Sequence, residues 1–367
     1  MYDTIIVRYS EIFLKSEYVK KEFENQLIGN IQLKLKGLGV GTRRDRHRIY
    51  LKTKKASSLA LEVAKVYGVK SVSPAIETDS GIDNLSARAI KLAKEVIESG
   101  EGFAVRARRI DYTLKSREIE ERLGELILKK IDCHVNLDNP DKTIHIEVRG
   151  GRAYIFHEKI SGVGGLPYKT QGKVIALISE GIDSPVAAWM MMKRGCEMIA
   201  VHYGSDTKVR KVLNKLEEYS VHGIRLYLIP YKETLDKIKY KSGKNTCIVC
   251  KRLMYKIAEE IALRENAEGI VTGENIGQVA SQTLHNLKLL DESVSIPVYR
   301  PLVGLDKEEI ISKAREIGTY MLIKPTRCGI APKNPSTKAK KDEIKEIEQE
   351  LELDELVKKV LRECGIN

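Results

Sequence analysis

The run Val174-Ile-Ala-Leu-Ile178 constrains the fold most, because five consecutive apolar residues without polar alternation describe a strand covered on both faces. Such strands belong to parallel sheets with helices packed above and below. Apolar segments at 198–202, 224–229 and 269–272 repeat the theme, separated by helical periodicity through 213–219, from Cys247 onward and over 307–317. That alternation predicts an α/β unit with a parallel sheet. Directly after Ile178 the chain reads Ser-Glu-Gly-Ile-Asp-Ser184-Pro185, with Gly195 closing the helix that follows. Ser184 suits an N-cap and Pro185 a first turn. Backbone N–H groups of Ser179 to Ser184, with the positive end of the helix, would converge on an anion, and Gly181 leaves room for close approach. The expected ligand is ATP.

The N-terminal half follows other rules. Strand 3–9, helix 15–35, strands near Val40 and Ile49, helix 57–67 and strand 69–76 give the β-α-β-β-α-β order of a ferredoxin-like split unit. A second basic module follows, with helices over 84–99 and 116–131 and strands at 103–106, 144–149 and 154–157. Gly162, Gly164, Gly165 and Pro167 mark a hinge or turn. The expected domains are 1–75, 76–165 and 166–335, then a charged helical tail over 336–367. The tail's Leu351, Leu353, Leu356, Val360 and Leu361 form a stripe that packs on the body.

At 367 residues and a net charge of +12, the chain suits two or three domains and a polyanionic partner. Residues 1–170 hold 31 Lys and Arg against 23 Asp and Glu, an excess of 8, and the remainder an excess of 4. The charge therefore lies mainly outside the nucleotide unit. Arg106, Arg108 and Arg109, with Arg149, Arg152, Lys159 and Lys169, are the candidate phosphate contacts. No apolar run nears the roughly 20 residues of a membrane span, and the N-terminus opens on a strand rather than a leader, so the expected compartment is the cytoplasm. Six cysteines give no dense disulfide framework, and Cys247-x-x-Cys250 suits redox chemistry or metal binding under reducing conditions.

No Walker A pattern occurs. The turn resembles the Ser-Gly-Gly-x-Asp-Ser pyrophosphatase loop (PP-loop) of enzymes that adenylate a carbonyl oxygen, with Glu180 in place of the first glycine. Arg106 to Arg109, Asn136-Leu-Asp-Asn-Pro140, Glu147-Val-Arg-Gly150, Ser161-Gly-Val-Gly-Gly-Leu-Pro167 and Ser179 to Val186 together resemble the tRNA 4-thiouridine synthetase (ThiI) family. The resemblance implies a ferredoxin-like α+β domain and a THUMP domain that hold tRNA. A PP-loop domain, adenine nucleotide alpha hydrolase-like, would then adenylate O4 of uridine 8 and let sulfur displace AMP.

Residue by residue, the resemblance implies Mg²⁺ at Asp183 and phosphate at Ser179, Gly181 and Ser184. It implies further ATP contacts from Leu177, Ile178, His202, Tyr203, Arg252, Gly273 and Gln282, a functional Lys307, and a catalytic Cys328 in Thr326-Arg-Cys-Gly329. Bacterial members commonly add a rhodanese domain, which this length does not accommodate, so sulfur is expected from sulfide or a persulfide carrier protein, and no thiamine role is expected. All three thiols, Cys247, Cys250 and Cys328, are expected to face the adenylated uridine. They would hold an iron–sulfur cluster, or form a redox pair serving a persulfide on Cys328; zinc would need a fourth ligand. The N-terminus of the Cys247 helix would favour thiolates. Cys133, Cys196 and Cys364 read as incidental thiols. A homodimer is also implied. The rivals are a PP-loop enzyme acting on a small molecule, a different RNA thiolase, and an RNA-binding protein with a degenerate loop.

Overall fold

A computed structural model describes residues 1–45, 47–204, 206–322 and 328–366, and divides the chain into two compact units, Met1–Gly165 and Leu166–Asn367. The first unit runs β1 (Thr4–Tyr9), α1 (Glu17–Lys34), β2 (Gly41–Asp45), β3 (Arg48–Lys52), α2 (Ala56–Ala64), β4 (Val69–Asp79) and α3 (Ile82–Val96). It continues with β5 (Gly102–Arg109), α4 (Ser116–Leu128), β6 (His134–Val135), β7 (Lys142–Arg149), β8 (Arg152–Phe156) and β9 (Ile160–Ser161).

Both sequence modules share one sheet, ordered β2-β3-β1-β4-β8-β7-β5-β6, with β9 on β4. β4 joins them: residues up to Ala75 pair with β1, and from Ile76 onward with β8. The sequence boundary at 75/76 falls inside this strand, where its partner changes. Alternation decides the two faces. Leu85, Ala89, Leu92, Leu123 and Ile127 of α3 and α4 cover Val105, Ile144, Ile146 and Ile155 on one side. The glycine segment expected as a hinge is bound to this unit, since Gly162 N–H donates to the Lys70 carbonyl (2.9 Å) and Gly164 N–H to that of Val69 (2.8 Å).

The second unit runs β10 (Lys173–Leu177), α5 (Asp183–Lys193), β11 (Glu197–Tyr203), α6 (Asp206–Ser220), β12 (Leu226–Ile229), α7 (Lys232–Ser242) and α8 (Thr246–Glu265). Then come β13 (Ile270–Val271), α9 (Leu284–Asp291), β14 (Val298–Tyr299), α10 (Lys307–Glu316), α11 (Lys341–Glu350) and α12 (Leu353–Glu363). All its strands are parallel, in the order β12-β11-β10-β13-β14. The order reverses between β10 and β13, and ligands of such sheets bind outside the carboxyl ends of the strands at that switch point.

The C-terminal segment is part of this unit rather than an appended tail. Ile344, Leu353, Val360 and Leu361 are buried in one core with Leu253, Ile257 and Ile261 of α8. Burying each such side chain contributes roughly 1.5–3 kcal/mol.

Candidate active site

The turn after β10 closes on itself before it meets any ligand. α5 begins at Asp183, so Ser184 lies within the first turn and is not the N-cap expected from the sequence. Its hydroxyl instead accepts the Ser179 N–H (2.8 Å) and lies 2.9 Å from Ser179 Oγ, which accepts the Gly181 N–H (3.2 Å). Two serines thereby hold a six-residue loop at the carboxyl end of β10.

The loop after β13 closes the other side. A Cβ at Gly273 would lie 2.6 Å from Ser184 N and 2.8 Å from the Asp183 carbonyl carbon, so only glycine lets the two loops touch. Glu274 fixes that loop from below. Its buried carboxylate accepts from Lys251 Nζ (2.8 Å), Arg300 Nε (2.8 Å), the Tyr255 hydroxyl (2.5 Å) and the Thr272 hydroxyl (3.2 Å). Burial opposes ionisation, but Lys251 and Arg300 outweigh it and hold the carboxyl at about 2. None of these three charged groups was singled out from sequence, although Glu274 directly follows Gly273.

Lys307 opens α10 behind Asp306, whose side chain accepts the Glu309 N–H (2.9 Å) while Glu309 accepts the Asp306 N–H (2.8 Å). That capping box presents Lys307 Nζ to Asp183 Oδ1 at 2.6 Å. Asp183 is a hard oxygen donor at the mouth of the turn and fits a Mg²⁺ accompanying polyphosphate.

The remaining expected contacts divide. Leu177 and Ile178 end β10, where Ile178 N–H donates to the Val201 carbonyl (2.9 Å). His202 donates from Nδ1 to the Ile178 carbonyl (2.8 Å), which orients its ring beside the turn. Gln282 Oε1 is buried with no hydrogen-bond partner, an acceptor suited to a ligand N–H. Tyr203 has its hydroxyl on the Met254 carbonyl (2.6 Å). Arg252 departs from expectation: its guanidinium is clamped by Glu348 of α11 (2.5 and 3.0 Å) and by the Leu289 carbonyl, so it ties helices together and does not present a free fork to a nucleotide.

Cys247 and Cys250 stand in the first turns of α8, half-buried and buried, and Cys328 is exposed; all are free thiols. Burial pushes both helix thiols up, Cys250 to about 11 even though the Tyr231 hydroxyl works against it, and Cys328 adds to the rise at each. Both helix thiols are thus raised rather than lowered, against the thiolates expected at the helix N-terminus. Among the described residues no three His, Cys, Asp or Glu side chains are gathered to hold a metal ion. Thr326 and Arg327 of the Cys328 motif lie outside the described residues. Lys251 carries the link onward, since it adjoins Cys250 and bonds Glu274.

In the first unit, Arg106 and Arg108 are exposed on one face of β5, and Arg106 donates to the Leu137 carbonyl (2.5 Å), fixing the Asn136–Pro140 segment. Arg109 is exposed at the strand end, and Arg152 pairs with Glu77. Arg149 is mostly buried beside Glu147, which also receives Arg8 (2.8 Å) and Arg48 (3.4 Å). Three arginines around one carboxylate leave that face positive. Lys169 belongs to the second unit, bound to Glu197 (2.8 Å), and so leaves the basic set proposed for the first.

Comparison with known proteins covers most of the chain. A ThiI ferredoxin-like domain model matches residues 4–73, a THUMP domain model 80–158, and a model described as thiamine biosynthesis protein (ThiI) 169–353. A probable tRNA sulfurtransferase of Thermococcus kodakarensis is 42% identical, across 95% of this chain and 96% of its own length. The chain belongs to the ThiI family. Another family member, a probable tRNA sulfurtransferase of Methanocaldococcus jannaschii, is 40% identical across 95% and 97% of the two chains. A crystal structure of a 4-thiouridine synthetase in complex with RNA and ATP superposes with a TM-score of 0.90 at 34% identity, covering 99% of this ThiI chain and 98% of that one.

Proposed function

We propose that this ThiI-family chain is an ATP-dependent tRNA sulfurtransferase that adenylates O4 of uridine 8 and converts the base to 4-thiouridine. The observation that carries the reading is the Lys251–Glu274 pair, which ties the cysteine-bearing start of α8 to the nucleotide loop against Ser184. Adenylation and sulfur delivery thereby share one scaffold.

Ser179, Gly181 and Ser184 cradle the polyphosphate, Lys307 and Asp183 flank it, and Gln282 Oε1 accepts from the exocyclic amino group of adenine. Mg²⁺ at Asp183, when bound, neutralises phosphate charge. Uridine O4 attacks the α-phosphorus, the bond to the β-phosphate oxygen breaks, and pyrophosphate leaves. A persulfide carrier protein loads Cys328: the Cys328 thiolate attacks the carrier's outer sulfur, the carrier's S–S bond breaks and its thiolate leaves, so Cys328 holds a persulfide. The terminal sulfur attacks C4 and AMP departs with O4. A thiol of the Cys247–Cys250 pair then attacks Cys328 Sγ, leaving 4-thiouridine and a disulfide that an external thiol reduces. Exposure of Cys328 beside the two more buried thiols supports this order over an iron–sulfur carrier. Free thiols suit the cytoplasm, and the described residues contain no helix long and apolar enough to cross a membrane.

The test is pyrophosphate release from ATP with tRNA and with tRNA carrying cytidine at position 8. Stimulation by the first alone is the expected outcome. Equal release without tRNA would instead indicate a small-molecule substrate.

A further inference from the structure

The glutamate within the phosphate turn has a partner that the reaction scheme leaves unused. Glu180 stands where the PP-loop pattern has glycine, and Lys208 of α6 places Nζ 2.8 Å from its Oε2. α6 follows β11, the neighbour of β10, so Lys208 rises beside the same carboxyl edge as the turn. The two side chains are 24% and 49% exposed, which puts the pair at the mouth of the site and lets it rearrange without disturbing the core. On the other flank Lys307 holds Asp183, so each acidic residue of the turn is matched by one lysine from a neighbouring helix.

We propose that Lys208 is a further phosphate-binding residue, held over the turn by Glu180 until the polyphosphate of ATP takes it over. The inference rests on ATP occupying this turn. An exposed ion pair is weak, because water screens it and two long side chains are ordered to form it. A polyphosphate offers Lys208 several anionic oxygens at once and charge-assisted hydrogen bonds, so it outcompetes one carboxylate. Before nucleotide arrives, Lys208 neutralises the Glu180 charge that would otherwise oppose an anion. After the exchange, Glu180 disfavours any ligand with too little phosphate to hold Lys208. The pair therefore selects ATP over AMP, the nucleotide that must leave after sulfur transfer.

The experiment is calorimetric titration of the full chain with a non-hydrolysable ATP analogue, AMP and adenosine, for wild type, Lys208→Met, Lys208→Arg and Glu180→Gln. Lys208→Met is expected to weaken the ATP analogue about tenfold and leave adenosine unchanged, with Lys208→Arg recovering most of the loss. Glu180→Gln is expected to tighten the ATP analogue severalfold and to narrow the ATP-to-AMP ratio. If wild type binds the analogue while Lys208→Met binds it equally, or if Glu180→Gln weakens it, Lys208 is not held in reserve and the proposal is overturned alone. A wild-type chain that binds no nucleotide overturns the ATP reading together with it.

Discussion

At the scale of single residues, two atoms decide whether the nucleotide loops can meet. Replacing Gly273 by alanine puts a methyl group 2.6 Å from Ser184 N, so the loops must part. A displacement of that size is expected to lower tRNA-dependent pyrophosphate release by about 100-fold, measurable in steady state, with little change in tRNA affinity. Cys328 behaves in the opposite way. Cys328→Ala is expected to retain pyrophosphate release and lose thiolation, and brief alkylation of the native chain is expected to mark Cys328 before the buried Cys250. Both residues were singled out in sequence, one as a glycine after an apolar strand and the other as a cysteine in a quoted motif, and their roles are proposals. Arg252 misled because sequence position says which helix a residue occupies and not which way it turns; Glu348, 96 positions away, claims it. Glu274 and Lys251 stayed hidden for the same reason, as their pairing exists only once α8 packs beside β13.

At the scale of elements, the Glu274 network joins α8, β13 and the segment entering α10. Glu274→Ala leaves Lys251 and Arg300 without their shared carboxylate and is expected to destabilise the second unit by roughly 3 kcal/mol, read from denaturant unfolding. Its carboxyl is held at about 2 against an ordinary value of 4.5, so the folded state favours the ionised form. The contribution is complete above pH 4.5 and disappears as pH falls toward 2. Acid unfolding of Glu274→Gln is expected to lack that segment of the profile. Long periodic elements were readable: α1, α3, α4, α8 and β10 lie where apolar spacing puts them. α9 and the two-residue β14 were not, because a strand of two residues has no period to detect, and Val298–Tyr299 is a strand only through its pairing with Ile270 and Val271. The edge of α5 was misjudged because Ser184 is drawn back to Ser179 by hydrogen bonds that propensity does not encode.

At the scale of the whole molecule, charge and chemistry occupy different units. The excess of 8 positive charges in residues 1–170, with exposed Arg106 and Arg108, is proposed to supply affinity without base readout. tRNA binding is expected to weaken steeply between 50 and 200 mM salt, and Arg108→Ala to reduce the salt slope by about 1. Acidification tests which groups take part. Burial, then Arg8 and Lys159, pushes His145 down to about 4, so it stays neutral from pH 8 to 6 and tRNA affinity is expected to gain nothing from it over that range. The two N-terminal modules were read from the order of their strands and helices. Their fusion into one nine-stranded sheet was not, since β4 changes partners in mid-strand with no break in its sequence.

The most direct measurement is nucleoside analysis of tRNA after incubation with the full chain, ATP, Mg²⁺, a persulfide donor and an external thiol, for wild type and Cys328→Ala. The account predicts 4-thiouridine at position 8 with the wild type only, while both proteins consume ATP. Equal 4-thiouridine from Cys328→Ala would refute the cysteine route, and ATP consumption with no thionucleoside from either would contradict the assignment of tRNA as substrate.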